Sequence, residues 1–271
     1  MKFFIVPLAI AGLTVFFSPL PAQSIWNDNT ADEEWDTAGN WSTGTVPNSS
    51  VVSVEIGTQP GGDNLMGLAT AVEVGNLSFL VTLTQAMEIE VAGGIGTELS
   101  VNGPITNSSA DNQSFFVPVV AVGNGLYAGG SGGLSFSQLS IGTSDITTSG
   151  TVDVSTTLVF TINSNTTYGQ IGSVDVSGAT VNIGASGYTA AAGDTFTFAT
   201  GGDFAAASSI NTPTLSGGLS WDIVQDTSGL ELLVVPEPGN VGLFLLGLGL
   251  LVVAGVQPRL RRRLLPALAK K

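Results

Sequence analysis

The chain of 271 residues contains no cysteine and no histidine. Its seven basic residues sit at the ends: Lys2 at one, and Arg259, Arg261, Arg262, Arg263, Lys270 and Lys271 at the other. No positive charge lies between Phe3 and Pro258, whereas all 21 acidic residues fall between Asp28 and Glu237. Each absence excludes something. Without Lys or Arg the body cannot neutralise phosphates, so nucleic acid is excluded as a partner. Ion pairs within the body are excluded for the same reason. Without His, Cys or Lys there is no usual base for a serine hydrolase, no thiol nucleophile, no Schiff-base amine and no ordinary zinc ligand set. The basic residue that polysaccharide lyases of the β-helical kind generally need is missing too.

What the chain has instead is glycine, serine, threonine, asparagine and short apolar runs. With 43% hydrophobic and 10% charged residues it can bury a core and is not composed like a disordered chain. A core of that size can dispense with disulfides even outside the cell. Between residues 25 and 235 apolar and polar residues alternate, as in Val51-Val52-Ser53-Val54-Glu55-Ile56 and Met87-Glu88-Ile89-Glu90-Val91. A period of two puts apolar side chains on one face of a strand, and only the termini carry longer apolar runs. The body is predicted to be all-β.

Internal repeats refine this. Gly150-Thr-Val-Asp-Val-Ser155 recurs as Gly172-Ser-Val-Asp-Val-Ser177, Val54-Glu-Ile-Gly57 as Val72-Glu-Val-Gly75, and Ser140-Ile-Gly142 as Asn182-Ile-Gly184. Offsets of about 22 and 42 suit one and two turns of a right-handed parallel β-solenoid. About eight such coils, stacked at ~4.8 Å, make a rod of roughly 40 Å. A β-sandwich is the alternative, since it too is built from short strands and frequent turns.

The two ends read differently. At the N-terminus one basic residue precedes an apolar run over 3–17 and small residues at Ala22 and Ser24. That order predicts a secretory signal peptide over 1–24, cut after Ser24 or after Ala22. The run 241–256 is uncharged and close to the ~20 residues of helix that span a bilayer, so a transmembrane helix is predicted there. Arginines follow it and no positive charge precedes it in the body. The basic tail 259–271 is therefore expected in the cytoplasm and the acidic body, 25–235, outside.

Pro236-Glu237-Pro238, then the span 241–256, then Arg259, Arg261, Arg262 and Arg263 resembles the PEP-CTERM sorting signal of Gram-negative bacteria. The resemblance covers about 35 residues, 236–271, and departs from the pattern at Gln257-Pro258 and in the extra residues LLPALAKK. It implies a membrane-embedded cysteine transpeptidase, an exosortase, as a processing partner that reads the tripeptide and removes the anchor. It also implies an association with exopolysaccharide and biofilm. Physically, two prolines fix φ and remove donors, which keeps the segment extended for a protease cleft. The segment Trp35-Asp-Thr-Ala-Gly-Asn-Trp-Ser42 with Pro47, Val74-Gly-Asn-Leu-Ser-Phe79 and Gly229-Leu-Glu-Leu-Leu-Val-Val235 is similar to autotransporter-associated β-helical repeat proteins. That similarity implies fold more than function.

Two clusters in the body are candidates for chemistry. Asp28, Asp32, Glu33, Glu34 and Asp36 form the densest acidic group, and calcium favours several oxygens on one loop. No cofactor is expected; calcium is the open alternative to a solvated acidic face. The run Gly129–Gly133 is similar to a calcium-binding nonapeptide, but Leu134 stands where its aspartate belongs. Trp26, Trp35 and Trp41 lie close together and suit either a cap over the solenoid's open end or a platform for stacking on sugar rings. No catalytic residue is assigned. The scattered carboxylates leave a glycosidase as a distant possibility.

The expectation is an exported, non-enzymatic structural protein of the cell surface or extracellular matrix, anchored in the inner membrane as a precursor. A carbohydrate-binding surface module is the alternative. The charge count generates a first prediction. About twenty like charges without a counter-charge repel one another, and the screening length falls from ~30 Å at ~0.01 M salt to ~10 Å at ~0.1 M. The melting temperature of the body should rise with NaCl through that range. Calcium at matched ionic strength should add more only if the acidic cluster binds it. A melting temperature indifferent to NaCl would sink the repulsion argument.

Overall fold

A computed structural model describes residues 23–30, 32–57, 64–93 and 96–237. The span 241–256, the arginines at 259 and 261–263, Pro238, and the signal peptide except Gln23 and Ser24 lie outside the described residues. The described body is a parallel β-solenoid of about six turns, not a β-sandwich. Among the described residues the only helices are the short 3₁₀ turns Ala38–Asn40 and Phe204–Ala206, and none is long and apolar enough to cross a membrane.

Three series of parallel pairings run along the body. The first joins Gln23–Trp26, Ser49–Ile56, Val72–Phe79, Ile105–Asn107, Gly125–Ala128, Asp145–Ser149, Gln170–Ser173 and Thr195–Gly201. A second runs from Val72–Phe79 through Leu99–Val101, Val119–Ala121, Leu134–Gly142, Val152–Ser164 and Thr180–Ala185 to Ser209–Asn211. The third comprises Leu65–Leu68, Glu88–Val91, Gln113–Phe115 and the early parts of Leu134–Gly142 and Val152–Ser164. Those last two strands each serve two faces. A register shift between Phe136 and Gln138, opposite Val154 and Thr157, lets both bend around the corner together.

Strand alternation fills the interior. Val54, Leu77, Ile105 and Tyr127 succeed one another inward along the first series, Ile146 and Ile171 form a second such step, and all six are buried. Phe79, Phe115, Phe136 and Tyr127 meet ring to ring in the middle of the rod, with centroids 4.7–5.9 Å apart. The Tyr127 hydroxyl is buried without a hydrogen bond, and burial pushes its pKa far up.

The repeats stack in part. Asp153 bridges Asp175, so the two Val-Asp-Val segments lie on adjacent coils, and Ser140, Val159 and Asn182 share one column two coils deep. Val54 and Val72 do not stack: Val54 pairs with Leu77 and Val72 with Leu99. The rod is also shorter than eight coils, roughly 30 Å for six turns at ~4.8 Å. Its coils are uneven, 22 residues from Ile105 to Tyr127 but 28 from Leu77 to Ile105 and from Ile171 to Ala199. The last described strands form an antiparallel hairpin, Leu219–Asp226 with Gly229–Pro236, rather than another coil.

The first strand has its outer edge covered. Asn27 N–H donates to the Asn40 carbonyl, Ser42 N–H to the Ile25 carbonyl, and Ile25 N–H to Ser42 Oγ, at 2.7–2.9 Å. Behind these bonds Trp26, Trp35 and Trp41 are 2% exposed or less and pack edge to face, with centroids at 5.0 and 4.7 Å. Both cap-turn indoles are satisfied, Trp35 Nε1–H by Pro47 O and Trp41 Nε1–H by Trp35 O. Sugar stacking on these tryptophans is thereby corrected: their faces are spent on one another and on the core. Trp35→Ala or Trp41→Ala should each destabilise the body by ~3–5 kcal/mol, the ordinary cost of truncating a buried aromatic. Denaturant titration checks this, and variants as stable as the parent would show that the cap is dispensable.

Candidate functional site

Two places merit a functional reading: the acidic segment at the capped end and the hairpin at the other. In the first, turns bring the acids close but give most of them local work. Asp32 accepts hydrogen bonds from Thr30 Oγ1, Thr37 Oγ1, Asn40 Nδ2 and the Glu34 N–H. Partial burial pulls its pKa upward, but the bonds from Thr37, Thr30, Asn40 and the Glu34 backbone outweigh that and hold it at about 2. Asp36 accepts from Ala69 N–H, Thr70 N–H and Thr70 Oγ1, tying the cap to the next coil. Asp28 is buried, and both it and Glu33 adopt left-handed backbone (φ 46° and 57°), as tight turns require. One Glu34 oxygen is buried without a hydrogen bond. Burial, then the charges of Asp32, Asp36 and Glu90, push the Glu34 pKa up.

Among the described residues no three acidic side chains are arranged to hold a metal ion. The run Gly129–Gly133 is a close-approach turn. A Cβ on Gly129 would lie 2.1 Å from the Thr151 carbonyl, and one on Gly132 2.0 Å from that of Asp111. Glycine is there because backbone passes backbone.

Acids elsewhere include a row on the third face. Glu88, Ser114, Ser135, Asp153 and Asp175 succeed one another outward, and a groove of about 300 Å³ is lined by Asp153, Asp175 and Asp203. Burial and then the Asp175 charge raise the Asp153 pKa. Two carboxyls of unequal proton affinity are the minimum for glycoside hydrolysis. Asp175, however, accepts from Ser177 N–H and Oγ, and no aromatic side chain lines the groove. The second face is uncharged where Ser100, Val120, Ser140, Val159, Asn182 and Asn211 succeed one another.

At the far end Pro236 and Glu237 meet the body. Pro236 is the last residue of the strand Gly229–Pro236 and lies opposite Leu219. The Glu237 N–H donates to the Gly218 carbonyl at 2.8 Å. Both residues are exposed, and Pro238 lies outside the described residues. Gly217 and Gly218 take positive φ (75° and 69°) to turn the chain into its partner strand. The partner residues Gly218, Leu219 and Ser220 escape a motif search. A signal was present: two alternating runs, LSWDIVQD and LELLVV, flank Thr-Ser-Gly, the pattern of a hairpin.

The acid positions generate a pH prediction. Glu34 and Asp153 have raised pKa values, so the stability gained by protonating them is fully present below their ordinary carboxylate range and is lost as pH rises through their folded values. Asp32 is lowered, so its contribution is present above its ordinary 3.8 and is lost as pH falls toward about 2. Asp32→Asn should therefore cost stability at neutral pH, with the gap to wild type closing between pH 3.8 and 2. Melts across that window decide; a gap that persists at pH 2 would mean the carboxylate is not what holds the cap.

No protein-family model matches the chain, and no curated protein matches it.

Proposed function

We propose that this protein is an exported, non-enzymatic rod of the cell surface or extracellular matrix, delivered by a PEP-CTERM signal. In this reading the signal peptide carries the body across the inner membrane and the apolar run 241–256 holds it there. An exosortase-type protease then reads Pro236-Glu237-Pro238 and separates body from anchor, with Arg259, Arg261, Arg262 and Arg263 on the cytoplasmic side. Right-handed coiling is part of the reading, as parallel crossovers overwhelmingly take that hand.

One observation carries it. Pro236 and Glu237 sit exposed where the chain leaves the solenoid, at the end away from the tryptophan cap. A processing enzyme at the membrane surface would meet the tripeptide at the body's boundary. Composition adds support, because a body without His, Cys, Lys or Arg has spent its residues on ladders, turns and caps. The first strand favours one of the two signal-peptide cuts. Ser24 is buried, and its hydroxyl lies 3.0 Å from Thr43 Oγ1. A cut after Ala22 leaves Gln23–Trp26 whole, whereas a cut after Ser24 removes half of the edge strand.

Glu237→Ala should leave the chain uncut and in the inner membrane of a host that carries an exosortase. Electrophoretic size and membrane fractionation read this directly. Normal maturation of the variant would remove the sorting claim. A glycan array on the matured body tests the carbohydrate-binding alternative, which now has to use a surface other than the tryptophans.

A further inference from the structure

The sorting tripeptide has no spacer between it and the folded body. Backbone pairing of Gly229–Pro236 with Leu219–Asp226 continues to Pro236, and the Glu237 N–H extends it to the Gly218 carbonyl. A protease cleft reads an extended segment whose backbone groups are free, and here Pro236 is paired and the Glu237 N–H is engaged. Inside this zipper there is a clear boundary. Val234 is 1% exposed, its carbonyl accepts from Gly193 N–H, and its N–H donates to the Asp194 carbonyl. Beyond it, Val235 and Pro236 have only Ser220 and Leu219 opposite them.

We infer that the hairpin gates processing: residues 235–237 must peel from Gly218, Leu219 and Ser220 before the tripeptide can be cut, with Val234 as the fixed hinge. This rests on the sorting reading proposed above. The gate opens without disturbing the core, because only the three residues past Val234 have to move. Its effect follows from a general rule. Cleavage of a transiently opened segment tracks the population of the open form when opening is fast. The cut itself is ordinary. One peptide bond breaks, its carbonyl passes to the protease thiol and then to water or an acceptor amine, and its nitrogen leaves as the amine of the anchor.

The chain has no cysteine, so an introduced pair can form only one disulfide. Ser220 and Val235 are directly opposite. Opposed antiparallel residues lie ~4.5–5.5 Å apart, within the ~4.4–6.8 Å that a disulfide spans. The full-length chain carrying Ser220→Cys and Val235→Cys should form the bond on export and be cut at least ~10-fold more slowly, with reductant restoring the rate. A flexible insert of about six Gly and Ser residues between Val235 and Pro236 should restore cutting in the oxidised chain, since the tripeptide is then free of the lock. The insert alone, in a chain without cysteines, should mature at least as fast as wild type and needs no disulfide to be informative.

Equal rates in oxidised and reduced chains, with an insert that slows maturation, overturn the gate. Glu237→Ala separates that failure from a failure of the sorting reading. If the variant remains uncut while lock and insert have no effect, only the gate is wrong. If the variant matures normally, both are.

Discussion

Coils in this body are held to one another by a single kind of contact, an apolar side chain resting on its counterpart one coil away, with a ladder of backbone hydrogen bonds beside it. Nothing ionic can supplement that contact, because no cation exists in the body to pair with its acids. Everything else follows from protecting it. Acids stand outside the core on the first face, as Glu55 and Asp145 do, and on the third, as Glu88 and Asp153 do, and more lie in the cap and the C-terminal hairpin. The column from Ser100 to Asn211 on the second face carries none, and neighbouring amides there bond directly, Asn211 Nδ2–H to Asn182 Oδ1 at 2.8 Å.

A stack of coils leaves its last layer bare at each end, and the two ends solve this differently. At the first, Trp26, Trp35 and Trp41 close the interior while the segment 40–42 bonds the open edge. At the other, Phe196, Phe198, Tyr168, Tyr188 and Trp221 gather under the hairpin. Closure is less complete there: Ile223 lies opposite buried Leu232 yet is 36% exposed. Asp222 and Asp226 punctuate that outermost strand, and charge on an exposed edge discourages pairing with another chain. The less finished end is also the one from which the chain departs toward the tripeptide.

How far the sequence reveals this depends on what each feature needs. Alternation in Val51–Ile56 or Met87–Val91 is a local property, so the all-β body was legible. The Val-Asp-Val repeat was informative because Asp153 and Asp175 do stack, and Ser140 and Asn182 share a column. Val54–Gly57 and Val72–Gly75 looked equally similar and do not stack, since short Val-Glu-Ile runs arise from strand alternation alone. Coil number was misjudged because corner loops of different length are invisible to a single offset. Tryptophan clustering allowed two roles, and only burial separates them. The pairs Leu219 with Pro236 and Gly218 with Glu237 join residues 17 and 19 apart with no shared motif. Local pattern could suggest the hairpin but not that Pro236 and Glu237 pair within it.

The acids, finally, are not simply a solvated surplus. With no cation to meet, a carboxylate can still accept from N–H and O–H groups, and this body uses it that way repeatedly. Asp32 gathers three side chains of the cap, and Asp36 takes hold of residues 69 and 70 on the next coil. Asp194 accepts from the Tyr188 hydroxyl and the Ala191 N–H, and its carbonyl accepts from the Val234 N–H. Asp175 and Asp226 each close a turn through the backbone and hydroxyl of the serine two residues on. Hydrogen bonds to an ionised acceptor are roughly twice as strong as neutral ones. They survive salt better than surface ion pairs, because short-range donor geometry rather than distant charge holds them. The body can in this way keep a negative surface and still have its ends and turns fastened by the charges that make it so.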